Sequence, residues 1–214
     1  MSELRVVGLT GGIATGKSTF AAALRARGAP VLDADALARA VVAPGEPALA
    51  EIVRAFGAGV LAPDGTLDRR KVAALVFADA GARRTLETIT HPAVRRAFAA
   101  ETARLAATGH PLAFYDVPLL YEVGLDRELD CVVVVYAPRE VQRERLAIRD
   151  GLTAAEADAR LAAQLDIEEK ARRADVVIDN VAGTEDLGAK ADRLLTDLRM
   201  GLGRKLPNAP PVRY

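Results

Sequence analysis

Residues Gly11-Gly12-Ile13-Ala14-Thr15-Gly16-Lys17-Ser18-Thr19 carry the densest chemistry in the chain. They spell G-x-x-x-x-G-K-[ST], a loop that holds the phosphates of a nucleoside triphosphate when it links a strand to a helix. Glycines permit a tight turn that aims several N–H groups at one anion. The helix start adds its unpaired N–H groups and its positive dipole end. Gly12, Ala14, Thr15, Gly16 and Thr19 would build that cradle. Lys17 would reach the β- and γ-phosphates, and the Ser18 hydroxyl could hold a Mg²⁺ bridging them. The setting is met, because Arg5-Val6-Val7-Gly8-Leu9 reads as a strand and Phe20-Ala21-Ala22-Ala23-Leu24 as a helix start. A chance match in a chain of this length has odds on the order of 1%. The alternative is an ordinary strand–turn–helix with a solvated lysine.

Two acids fall where an acceptor or a metal would be handled. In open α/β sheets ligands collect beyond the carboxyl ends of the strands. Asp33 ends the short run Val31-Leu32, and Asp116 ends Leu112-Ala113-Phe114-Tyr115. Phosphoryl transfer to an alcohol needs a carboxylate that orients the hydroxyl and accepts its proton, a role open to Asp33. Asp116 could approach Mg²⁺ directly or through water. Either acid could instead be structural, and one of Asp33 and Asp35 is expected to cap the helix Ala36 to Val42.

Arg145 and Arg149 lie four apart on the helix Arg139 to Asp150 and so share a face. They could close over the triphosphate and stabilise developing charge, or form a solvated face paired with Glu144 and Asp150. Asn180 should lie near an adenine base. His91 reads either as a partly buried helix residue or as a substrate contact.

The elements that must position these groups alternate. Strands near Leu4–Leu9, Val31–Leu32, Leu112–Tyr115, Asp130–Ala137 and Asp175–Asp179 are separated by helical patterns. The expected fold is α/β, a doubly wound, mostly parallel sheet of about five strands. The break Ala43-Pro44-Gly45-Glu46-Pro47 opens a strand-free section with helices Ala48–Phe56, Asp68–Phe77 and Ala82–Thr108. Thr90-His91-Pro92 should bend or restart the last of these. Residues of about 43–109 therefore read as a helical insertion. The core takes about 4–42, 110–138 and 174–200, with helical patterns between about 139 and 173. There a capping box at Thr153 and Glu156 starts a helix to about Leu165, which Ile167 to Arg173 continues. A last helix runs from Thr184 to Met200, and the proline-bearing tail 204–214 is expected to be flexible.

Composition excludes several classes. The 214 residues are 50% hydrophobic and 27% charged, with 29 basic against 29 acidic side chains. Zero net charge argues against a broad basic face for nucleic acid and against general attraction to membranes. No apolar run reaches the ~18 residues of a membrane helix. Met1-Ser2-Glu3-Leu4-Arg5 leads straight into the first strand with no signal peptide, so the cytoplasm is expected. The single Cys131 rules out an internal disulfide and reads as a small core residue. An Asn-Lys-x-Asp guanine motif is missing, which disfavours a GTPase. Oligomeric state is left open.

The ordered motifs resemble those of the dephospho-CoA kinases over roughly Val6 to Asn180. They are Leu9-Thr10-Gly11-Gly12-Ile13 with Gly16-Lys17-Ser18-Thr19, Asp33-Ala34-Asp35, Ile89-Thr90-His91-Pro92 and Asp116-Val117-Pro118-Leu119-Leu120-Tyr121-Glu122. They continue with Gln142-x-x-Arg145-Leu146-x-x-Arg149, Gln164, Glu169-Lys170, Ala174-Asp175 and Val177-Ile178-Asp179-Asn180. The resemblance implies a P-loop kinase that moves the ATP γ-phosphate to the ribose 3′-hydroxyl of dephospho-CoA, with ATP and Mg²⁺ required. It implies a three-part body: the nucleotide-binding core, an acceptor-binding section that the helical insertion of about 43–109 fits, and a helical lid of about 139–173. It implies Asp33 as base, Lys17 and Arg145 as charge stabilisers, and Ser18 as the Mg²⁺ ligand. Arg149 and Asn180 would help hold ATP, and His91, Asp116, Leu119 and Leu120 would line the acceptor site. The chain departs from the common family loop by having Ala14-Thr15 where Gly-Ser is frequent. A kinase for another small alcohol or nucleoside, or a non-catalytic nucleotide switch, remains the alternative.

Overall fold

Val7 to Gly11 of the first strand (β1, Arg5–Gly11) are buried without alternation, the pattern of a parallel strand covered on both faces. The structure is a computed structural model and describes residues 4–183 and 185–214. In order, β1 is followed by α1 (Lys17–Ala26), β2 (Val31–Asp33), α2 (Ala34–Ala40), α3 (Pro47–Phe56), α4 (Arg69–Ala78) and α5 (Ala80–Ala107). Then come β3 (Leu112–Asp116), β4 (Cys131–Tyr136), α6 (Arg139–Asp150), α7 (Ala154–Ala162), α8 (Ile167–Arg173), β5 (Val176–Asp179), α9 (Leu187–Arg199) and β6 (Val212–Arg213).

Among the described residues the sheet has six strands in the order β2-β3-β1-β4-β5-β6, against about five expected. Pairs β1–β3, β1–β4, β4–β5 and β5–β6 are all parallel. β1 sits between its neighbours with Leu9 opposite both Asp116 and Val133. Gly8 is needed here, because a Cβ on it would meet the Leu120 and Leu129 side chains at 2.7 Å. The core beside the sheet joins Val7 and Leu9 to Phe114, Val133 and Ile178, covered by Phe20 and Leu24 of α1 and by Leu194 and Leu198 of α9. Cys131 is buried within it. Burial first, and the nearby Asp175 carboxylate second, push its thiol up to about 12, which fits a packing role.

The sixth strand comes from the tail expected to be flexible. Val212 N donates to Asp175 O, Tyr214 N to Val177 O and Asp179 N to Tyr214 O, each at 3.0 Å. Asp175 anchors the approach to this strand. Its carboxylate accepts from Lys205 N at 2.9 Å, Arg204 Nη1 at 3.1 Å and Val132 N at 2.7 Å. The prolines at 207, 210 and 211 fall before the two paired residues, where their missing N–H groups cost the ladder nothing.

The chain divides into two compact units, Met1–Val31 with His110–Tyr214, and Leu32–Gly109. The second is helical, with its own core of Val41, Val42, Ala48, Ile52, Val60, Val72 and Ala93. Three local expectations change. The long helix neither ends nor restarts at Pro92; α5 runs through it for 28 residues. The helix after Thr153 does not continue to Arg173. It stops at Ala162, and α8 starts afresh because the Asp166 carboxylate caps Glu168 N. The expected start of the last helix at Thr184 lies outside the described residues, as do Met1, Ser2 and Glu3.

Phe114, fully buried in β3, tests the dependence of the sheet on its centre. Phe114→Ala is expected to lower stability by about 3–5 kcal/mol, read as a lower urea midpoint at unchanged slope.

Candidate active site

The phosphate loop leaves β1 at Gly11 and enters α1 at Lys17, and its backbone bends where the sequence allows. Gly16 caps α1 in the left-handed region at φ 90°. A Cβ there would lie 2.2 Å from Asn180 Nδ2, so this position admits only glycine. Ala14 also has positive φ, 61°. The alanine keeps its N–H but holds a conformation glycine would adopt freely, a local strain of about 1–2 kcal/mol.

A loop that turns its N–H groups toward an anion must satisfy its carbonyls on the other side. Asn180 Nδ2 donates to Thr15 O at 2.7 Å. Arg145 donates to Ala14 O at 3.4 Å and to Asn180 O at 2.8 Å. Gln164 Oε1 accepts from Ile13 N at 2.9 Å, and Thr15 Oγ1 donates to Gly12 O at 2.9 Å. Asn180 itself is 1% exposed, so in this arrangement it braces the loop from behind.

Lys17 Nζ donates to Asp116 Oδ1 in a short contact between side chains that are 14% and 8% exposed. The register of β1 and β3 sets this up by delivering Asp116 to the sheet's carboxyl edge level with Leu9. Ser18 and Thr19, in the first turn of α1, are exposed. Arg149 turns to Asp150, which accepts from its Nε at 2.8 Å and its Nη2 at 3.0 Å. It is thus half of a solvated pair, one of the two alternatives for that helix face. Leu119 is 42% exposed whereas Leu120 is fully buried under Gly8, so Leu120 supports the strand and offers no surface to a ligand.

In the helical unit Asp33 does cap a helix. Its Oδ1 accepts from Ala36 N at 2.9 Å, and α2 starts at Ala34 rather than Ala36. Its other carboxylate oxygen has no hydrogen bond among the described residues. His91 is exposed on α5, not partly buried.

Four groups mentioned in the motifs without a role emerge as supports. Thr10 Oγ1 and Lys170 Nζ both donate to Pro118 O at 3.1 Å. Gln142 is 2% exposed, and Gln164 joins the α7–α8 junction to the loop. A buried glutamine or lysine inside charged helical sequence gives no periodic signal, and only the assembled fold reveals it.

A parallel sheet with a glycine-rich loop between its central strand and a helix, and an acid on the adjoining strand against the loop lysine, defines a P-loop nucleotide-binding protein. Comparisons narrow the class. A family model described as dephospho-CoA kinase matches residues 5–186. The dephospho-CoA kinase of Anaeromyxobacter dehalogenans is 74% identical over 99% of this chain and all of its own length. The crystal structure of TT1252 from Thermus thermophilus aligns with TM-score 0.78 at 40% identity, covering 92% of this chain and 99% of that one. A dephospho-CoA kinase from Campylobacter jejuni aligns with TM-score 0.71 at 30% identity, covering 94% and 99%. The chain belongs to the dephospho-CoA kinase family.

Two outcomes follow from the loop geometry. Asn180→Ala should weaken binding of a non-hydrolysable ATP analogue about tenfold, the value of one buried hydrogen bond, by calorimetry; an unchanged Kd would remove Asn180 as the loop's brace. Ala14→Gly should raise stability by about 0.5–1 kcal/mol in thermal unfolding, the strain relieved less the extra freedom of an unfolded glycine.

Proposed function

We propose that this chain transfers the γ-phosphoryl group of ATP to the ribose 3′-hydroxyl of dephospho-CoA, giving CoA and ADP, the final step of CoA synthesis. Family membership supplies the acceptor. The observation that carries the transfer is Lys17, held at the mouth of the phosphate loop against Asp116. Its ammonium would share itself between that carboxylate and the phosphate oxygens, following the charge as the bond to the β-phosphate breaks. Gly12, Ala14, Thr15, Gly16 and Thr19 would supply the cradle of N–H groups. Arg145, fixed to Ala14 O and Asn180 O, adds a positive charge behind the loop.

Asp33 would accept the proton of the attacking hydroxyl. One oxygen is fixed by the helix cap, which orients the carboxylate, and the other is left to receive a hydrogen bond. His91 and Leu119, both exposed, and Asp116 would touch the acceptor. A Mg²⁺ fits the exposed Ser18 hydroxyl in the first turn of α1, a hard oxygen ligand of the kind this ion takes alongside water and phosphate oxygens. That ion would neutralise phosphate charge and hold the β- and γ-groups in one geometry. The reaction belongs in the cytoplasm, with no part for nucleic acid or membrane. Among the described residues no helix is long and apolar enough to cross a membrane.

Incubation with ATP, Mg²⁺ and a panel of small alcohols should give CoA and ADP from dephospho-CoA and no ADP burst from the others. No CoA above a Lys17→Ala control would sink the reading. Asp33→Asn should lower kcat by about 10²–10⁴ with the Kd of an ATP analogue little changed; near-normal turnover would remove Asp33 as base.

A further inference from the structure

Lys170 is a lysine with 0% exposure, on a helix whose other charges face solvent or surface partners. Its Nζ meets two acceptors, Glu122 Oε1 at 2.8 Å and Pro118 O at 3.1 Å. The same Glu122 oxygen accepts from Leu165 N at 2.9 Å. Burial works to raise the Glu122 carboxyl, but the Lys170 ammonium and the Leu165 N–H outweigh it and leave it below its usual range. Thr10 Oγ1 donates to Pro118 O from the other side at 3.1 Å. The turn after β3 is therefore clamped at two points, its third residue and its seventh, counted from Asp116. Removing an ammonium from water costs several kcal/mol before any partner is met. A methionine would fill the same space without that cost, so the clamp is what the charge contributes.

We propose that Lys170 is a positioning residue for phosphoryl transfer. Through Pro118 and Glu122 it fixes the turn that carries Asp116, and Asp116 in turn sets the ammonium of Lys17. The proposal rests on the kinase reading above. With 0% exposure Lys170 offers no surface to either substrate, so it would act on geometry alone. A displacement of about 1 Å at reacting groups can cost ~10²-fold in rate.

The test is a double-mutant cycle between Lys170→Met and Asp116→Asn, read by steady-state kinetics with ATP and dephospho-CoA. Thermal unfolding and ATP-analogue binding are followed in parallel. Lys170→Met should lower kcat about 10–100-fold with the analogue Kd changed less than about threefold. On that background Asp116→Asn should cost far less than it does alone, because the carboxylate has already lost its place. Additive losses, or normal kcat with only a lower midpoint of unfolding, would overturn the proposal. Should Lys170→Met fail to fold, Glu122→Gln keeps the shape and an acceptor oxygen while removing the charge. It should give a smaller fall in kcat with the same non-additivity, and additivity there overturns the proposal equally. A wild-type chain that makes no CoA sinks the kinase reading and the positioning with it. An active wild type with additive losses sinks the positioning alone.

Discussion

The pair between Lys17 and Asp116 depends on one constraint, the parallel register of β1 and β3. Parallel strands deliver their carboxyl ends to the same edge, and with Leu9 opposite Asp116 the acid leaves the sheet just as β1 runs into the loop. Lys17 carries a positive charge into a place with little water, and a nearby carboxylate offsets part of that desolvation. The two groups come from positions 99 residues apart in sequence, so neither has any local reason to face the other. The sheet brings them together.

A second constraint follows from the loop. N–H groups pointed inward leave carbonyls pointed outward, and each needs a donor. Asn180 and Arg145 supply them for Thr15 and Ala14. This places the end of β5 and the middle of α6 in direct contact with the phosphate-binding backbone. An arginine in that position does two things at once: it ties down the loop and leaves a positive charge beside it. The backbone of Gly16 and the side chain of Asn180 are so close that neither position can enlarge without the other giving way.

The phosphate loop, the strand-end acids and the alternation of strands with helices were legible because each has a local signature: glycine spacing, an apolar run stopped by an aspartate, a change of period. The resemblance then ordered those motifs and supplied an acceptor. What stayed hidden depends on distant partners. Val212-Arg213 is too short to announce a strand, and the prolines before it read as a loose tail until Asp175 and β5 are in place. Lys170 sits in Glu168-Glu169-Lys170-Ala171-Arg172-Arg173, which by composition is a solvated helix. Asp166 is a cap that local preference could have revealed, and reading through it merged α7 with α8. Leu120 looks like its neighbour Leu119, yet the turn after β3 packs one against the sheet and leaves the other exposed. The positive φ of Ala14 has no local sequence signal, since alanine shows no preference for that region.

The nesting of Leu32–Gly109 inside the other unit has a consequence for synthesis. A ribosome releases the chain from its amino end, so β1 and the phosphate loop emerge ahead of the nested section, and their sheet neighbours β3 and β4 follow only after it. Loop closure over so many residues is entropically costly, and contacts between distant segments form late. The helical section, contiguous and supplied with its own core, can close while the remainder is still being made. The phosphate loop thus waits, during synthesis, for strands that lie beyond the whole nested section.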